Sequence, residues 1–124
     1  MRPKKKVLIV DMNDESLGIL RFLVKTQRYA VYSATSTIEA IGALDQENYD
    51  LLLIRNPLDG IEAILQLQRE KDDRIPVIIL NNSVQNLDCV PANFVLHKPT
   101  SAEIMDKIAT VIKRKRGPRP GMRR

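Results

Sequence analysis

Three charged residues stand where hydrophobic runs end: Asp11 after KVLIV, Arg55 after YDLLLI, and Lys98 after NFVLH. A carboxylate and two cations brought together could hold an anion or neutralise one another. A carboxylate among further acids could instead hold a hard divalent cation and act as a nucleophile. Asp14, Asp59 and Asp88 are the acids that could supplement Asp11, and Asn81 and Asn82 follow a fourth run, PVIIL. His97 adjoins Lys98 but has no second ligand or carboxylate close by in sequence. A structural or solvent-facing role therefore fits it better than phosphotransfer or metal binding. Cys89 is the single cysteine, so no internal disulfide can form, and the sequence has no Cys/His cluster to hold zinc. It reads as a small packing residue rather than a reactive thiol. P-loop, dinucleotide and nucleophile-elbow patterns are missing from the sequence. The turn DMNDES lacks glycine and carries acids where a flavin phosphate would need free amides.

The elements that must position these residues are legible from the hydrophobic pattern. KVLIV (6–10), YAVYSA (29–34), YDLLLI (49–54), PVIIL (76–80) and NFVLH (93–97) are short, aliphatic and β-branched, as strands buried on both faces should be. Helical spacing joins Leu17, Leu20, Leu23 and Val24, then Ile38, Ile41 and Leu44, then Ile61, Ile64 and Leu65. It joins Ile104, Ile108, Val111 and Ile112 in the last helix. Ser36 with Glu39, Asp59 with Glu62, and Thr100 with Glu103 are spaced as helix-starting capping pairs. Between Asn81 and Asn93 polar residues and Pro91 leave room for one or two turns at most. Strands alternating with helices predict a parallel sheet covered on both faces, with chemistry just beyond the C-terminal strand ends. That rule selects Asp11 and Met12, Arg55 and Asn56, Asn81 and Asn82, and His97, Lys98 and Pro99.

A chain of 124 residues with 44% hydrophobic content fits one globular domain. Apolar runs fall far short of the roughly 18 to 20 residues of a membrane span. The basic start leads into VLIVDMND rather than a signal-peptide core, and a cytoplasmic location is the expectation. The net charge of +5 is segregated. Residues 113–124, KRKRGPRPGMRR, hold seven basic residues and no acid, whereas residues 7–112 hold nine basic and fifteen acidic ones. The expected division is a folded domain at 1–113 and a basic disordered tail at 114–124. Lys113, Arg114, Lys115 and Arg116 are candidate contacts to nucleic acid, anionic lipid or an acidic partner; the plain alternative is a solvated tail or linker. No aromatic residue is interleaved there for base stacking.

With its elements in this order, the chain resembles the receiver domain of two-component response regulators over about residues 5–113. The most specific pieces are VLIVD, YDLLLI, PLDGIEA, IPVIIL and the Lys98, Pro99 dipeptide. The resemblance implies a flavodoxin-like, doubly wound five-stranded parallel sheet of order 2-1-3-4-5, with the fourth helix here short or irregular. It also implies phosphoryl transfer from a histidine kinase to an aspartate, with magnesium held by that aspartate and an acidic pair. Carried over residue by residue, Asp11 matches the first of the pair, but Met12 stands at the second. Arg55 stands where the acceptor aspartate is expected, Asn81 replaces the hydroxyl residue after the fourth strand, and Val95 the aromatic switch residue; Lys98 is retained.

Such a pocket carries about one positive charge in place of about two negative ones, and a guanidinium cannot be a nucleophile. Arg55 and Lys98 are expected to take the space of the missing metal and pair with Asp11. The alternatives are that Arg55 extends outward with its head in water, or that the two cations hold an acidic or phosphorylated ligand. The expectation is therefore a pseudo-receiver: not an enzyme, not binding magnesium, and acting on an unidentified protein partner independently of phosphorylation. A small nucleic-acid-associated protein using its basic tail is the alternative.

Overall fold

The computed structural model describes residues 4–56, 58–72, 75–82 and 94–115, the last three and residue 72 by their backbone alone. Five strands, β1 (Lys6–Val10), β2 (Ala30–Ala34), β3 (Leu51–Asn56), β4 (Val77–Asn81) and β5 (Phe94–His97), alternate with helices α1 (Asp14–Lys25), α2 (Thr37–Gln46), α3 (Ile61–Asp72) and α4 (Ser101–Lys115). The strands form one sheet in the order β2-β1-β3-β4-β5, and every pairing is parallel. This is the expected flavodoxin-like architecture. The place of the short or irregular helix, residues 83–93, lies outside the described residues, as do Asp88 and Cys89.

Successive strand residues point to opposite faces, so each buried strand feeds two cores. Val7, Ile9, Leu51, Leu53, Ile78 and Leu80 pack against α1 and α4. Leu8, Val10, Leu52, Ile54, Val77 and Ile79 pack on the other side, against α2 and α3. Both sets are almost fully buried, and each such side chain contributes about 1.5–3 kcal/mol. A charge placed at Leu53 would have no water to solvate it from either layer.

Helix starts follow the sequence signals with two departures. Thr100 and Glu103 form a reciprocal capping box, Glu103 N donating to Thr100 Oγ1 at 3.1 Å and Thr100 N to Glu103 Oε1 at 2.7 Å. Ser36 Oγ accepts from Glu39 N at 3.1 Å, but Glu39 reaches back to Thr35 rather than Ser36. Those two bonds from Thr35 hold the Glu39 carboxyl below its ordinary range. At α3 the capping carbonyl belongs to Gly60, not Asp59: it accepts from Ala63 N and Ile64 N. Gly60 has φ of 81°, and a Cβ there would lie 3.1 Å from the Thr37 side chain. Glycine fits that turn because only it enters the left-handed region freely.

Ile38 is a correction. It is 83% exposed, and α2 buries Ala40 and Leu44 instead. Steps of three residues rotate back about 60° each, so Ile38 and Leu44 cannot share a narrow face.

Candidate functional site

Strand register decides which polar residues meet. Val10 pairs with Ile54 in the β1–β3 ladder, so the next residues along, Asp11 and Arg55, are neighbours. Arg55 pairs with Leu80 and Asn56 with Asn81, while Asn81 pairs with His97 in the β4–β5 ladder. Arg55 and Asn56 therefore lie within β3 rather than after it, as the sequence pattern suggested. Parity sorts these residues into two rows. Asp11 and Arg55 share the face of Ile9 and Leu53, toward α1. Asn56, Asn81 and His97 share the face of Ile54, Ile79 and Val95, toward α2 and α3.

The first row centres on Asp11, which is 2% exposed. Its Oδ1 accepts from Asn13 N at 3.0 Å. Its Oδ2 accepts from the Ser16 hydroxyl and from Arg55 Nε, the latter at 3.1 Å. The Arg55 side chain keeps 18% of its surface exposed, and its Nη1 donates to Asn82 Oδ1. A hydrogen-bonded chain thus runs Ser16, Asp11, Arg55, Asn82, from the first turn of α1 across β1 and β3 to the end of β4. Arg55 turns inward to the carboxylate and does not extend into solvent. Asn13 caps α1 by accepting from Ser16 N at 3.0 Å, which fixes the turn bringing Ser16 to Asp11.

The second row is buried and uncharged at its centre. Asn56 Nδ2 donates to Asn81 Oδ1 at 3.1 Å, and Asn81 Nδ2 lies 3.3 Å from His97 Nδ1. Asn56 and Asn81 are 2% and 1% exposed, and burial on that scale requires such partners. His97, for which a structural or solvent-facing role is expected, is exposed and is joined to the strand ends through Asn81.

Lys98 corrects the expectation that it pairs with Asp11. It is exposed, and among the described residues its ammonium makes no ion pair. Its backbone is unusual as well: φ is 45°, and Lys98 N donates to Asn81 O at 2.9 Å. A left-handed conformation just before proline is costly. Met12 is 55% exposed. Asp14 and Asp59 are also exposed. Val95 is half-buried, packs against the α2–α3 core and borders a cleft with His97 and Pro99 beside Glu103, Asp106 and Lys107. Lys113, Arg114 and Lys115 belong to the last turn of α4, two residues past the expected boundary at 113. Arg116 lies outside the described residues.

The residues missed by the sequence reading are Ser16, Asn13 and, as the partner of Arg55, Asn82. Asn13 had a legible signal, a capping residue three positions before Ser16; Asn82 had none without the register.

The magnesium implied by the resemblance calls for hard oxygen donors in near-octahedral array. Here Asp11 already spends both oxygens on protein donors, a guanidinium stands against it, and the adjacent Met12 offers a soft thioether. Among the described residues no three of His, Cys, Asp and Glu gather to hold a metal. That donor set does not fit a magnesium ion.

No protein-family model matches the chain. It is 26% identical over 118 residues to the transcriptional regulatory protein ResD of Bacillus subtilis (strain 168), a match covering 88% of this chain and 48% of that protein. The chain spans about half the length of the curated relatives it matches. Among solved structures it is similar to a CheY-like response regulator receiver domain protein from Methanospirillum hungatei JF-1. The TM-score is 0.82 at 18% identity, covering 90% of this chain and 96% of that one. It is also similar to the receiver domain of a sensor histidine kinase from Pseudomonas aeruginosa PAO1, at TM-score 0.79 and 21% identity, covering 89% and 98%. The latter has a magnesium ion coordinated in its active-site cleft. The fold is that of CheY-like receiver domains. Among the described residues no helix is long and apolar enough to cross a membrane.

Proposed function

We propose that this chain is a receiver-like domain of two-component signalling that acts by binding a protein partner, without accepting a phosphoryl group and without magnesium. The observation that supports this most is the contact of Arg55 Nε with Asp11 Oδ2 at 3.1 Å. Arg55, a permanent cation, stands at the position for which the resemblance implies the acceptor carboxylate, and in this contact it engages the one acid that matches the family pattern. Phosphoryl transfer requires a nucleophile and a cation to neutralise developing charge. Arg55 supplies a fixed cation and no nucleophile. Asn81, held by Asn56, stands in place of a hydroxyl, and Val95 in place of an aromatic switch residue. On this reading Asp11, Met12, Arg55, Asn81 and Lys98 form a degenerate phosphoacceptor pocket, and the domain is not an enzyme.

Incubation with acetyl phosphate and magnesium, followed by intact-mass measurement, tests the reading beside a receiver that retains all its pocket carboxylates. No adduct is expected here, and a hydroxylamine-labile one overturns the proposal. Immobilised whole protein should retain the same cellular partner in chelator as in magnesium with acetyl phosphate. A partner captured in only one condition also overturns it.

A further inference from the structure

Charge along α1 and α4 is graded rather than mixed. The acids of α1 are Asp14 and Glu15 in its first turn; from residue 16 to residue 38 the chain has Arg21, Lys25 and Arg28 and no acid. The acids of α4 are Glu103 and Asp106; from residue 107 to residue 124 the chain has eight basic residues and no acid. Both helices pack on the same face of the sheet, and both run back from the C-terminal strand ends. Their basic ends therefore lie at one pole, opposite Asp11 and Arg55. Lys5 joins them there, because its carbonyl accepts from Ala30 N at 2.8 Å, and Lys4 precedes it, exposed. Arg28 is exposed in the turn after α1, with φ of 67° and its N–H donating to Lys25 O at 2.9 Å.

Among the described residues with placed side chains, the acids near this pole are engaged or lie on the other layer. Glu47 pairs with Lys6 Nζ, and Asp50 Oδ2 accepts from Lys6 N at 2.8 Å. Asp45 and Glu70 belong to α2 and α3, across the sheet. A cation in the last turn of each helix is expected, since it complements the negative end of the macrodipole. That accounts for Lys25 and one residue of α4. It does not account for Lys4, Lys5 and Arg28.

We propose that this pole is a docking surface for the phosphate backbone of duplex DNA, with the folded body contributing Lys4, Lys5, Lys25 and Arg28. Phosphate contacts of this kind need no sequence reading and draw their affinity from released counterions. A bilayer fits less well. The exposed apolar residues that could enter it, Ile19 and Phe22, share their stripe of α1 with Glu15, which an anionic surface would repel. Residues 107–124 hold no aromatic ring, so the single-strand stacking platform is missing there. This inference is independent of the pocket reading.

The test is fluorescence anisotropy of the whole chain with a labelled mixed-sequence duplex of roughly twenty base pairs across a salt series. Wild-type protein should bind with affinity that falls steeply with salt. Lys25→Gln with Arg28→Asn, chosen because asparagine tolerates a positive φ, should weaken binding about ten-fold at ~50 mM salt and lower the log–log salt slope by about two. Lys4→Gln with Lys5→Gln provides a second body variant, and circular dichroism melts confirm that each is folded. Wild-type binding that is undetectable or insensitive to salt overturns the proposal. So does unchanged affinity and slope in folded body variants, which assigns binding to residues 116–124 alone. Tighter binding to a single strand of equal length, or to phosphatidylserine vesicles, likewise overturns it.

Discussion

Lys6, at the start of β1, lies 2.7 Å from Glu47, and Asp11, just past its end, lies 3.1 Å from Arg55, yet the two pairs sit in different media. The side chains of the first are 36% and 43% exposed; those of the second are 18% and 3% exposed. The shorter pair is bathed in water and ions, which screen it and compete for both partners. The longer one is shielded, and loss of either member would leave the other with little solvent to replace it. Distance ranks the pairs one way, and burial ranks their importance the other. Neighbours reinforce the contrast. Glu47 is also approached by Lys71, whose Nζ donates to the Glu47 carbonyl. Asp11 is fixed by a backbone N–H and a hydroxyl that cannot drift away.

The largest expected effect comes from removing the buried cation. Arg55→Leu should destabilise the domain by about 3 kcal/mol in urea unfolding, at the low end for breaking a buried pair because Arg55 is not fully enclosed. A cycle with Asp11→Asn and Arg55→Gln should return a coupling of about 1–2 kcal/mol; zero coupling would erase the distinction between the two ends of β1. Ser16→Ala ranks next. It removes the hydroxyl bound to Asp11 and should cost about 1.5 kcal/mol, in the range for a hydrogen bond to a charged group. The smallest effect belongs to the exposed end. Lys6→Met should change the melting temperature only slightly at low salt and not measurably in roughly 1 M salt, whereas the effect of Arg55→Leu should persist there.

The exposed pair also has a pH signature. Hydrogen bonding with Lys6 holds the Glu47 carboxyl below its ordinary value of 4.5, and the same contact holds Lys6 above its own. A carboxylate with a lowered folded-state pKa contributes stability above its unfolded value and loses it as pH falls through the folded one. The difference between wild type and Lys6→Met should therefore be constant near neutrality and shrink as pH drops below 4.5. A difference that grows with acid in thermal melts would contradict the pairing.

Much of the fold was legible because buried parallel strands advertise themselves as aliphatic runs, and the last helix carried a full capping box. The site was half legible. Asp11 and Arg55 stood out as charges at the ends of such runs, but which neighbour each would meet depended on register, which a one-residue slip would invert. The extension of β3 through Arg55 and Asn56 shows the difficulty: polar residues were read as the strand's exit, though their backbones still pair with β4. Lys98 misled for a different reason. Its position in the chain put it near the row, but the side chain is exposed and the backbone takes a positive φ, neither of which residue type discloses.

The Arg55 contact has a consequence in terms of mass action. A dissolved cation occupies a site according to its concentration, and chelation or competition can empty it. A guanidinium carried on β3 is present at an effective concentration set by the chain itself. Its local opening is governed by folding, not by the ionic composition of the medium. The contact at the Asp11 end of the sheet is therefore set by the chain rather than by the concentration of a dissolved ion, and its cation is written into the sequence at position 55.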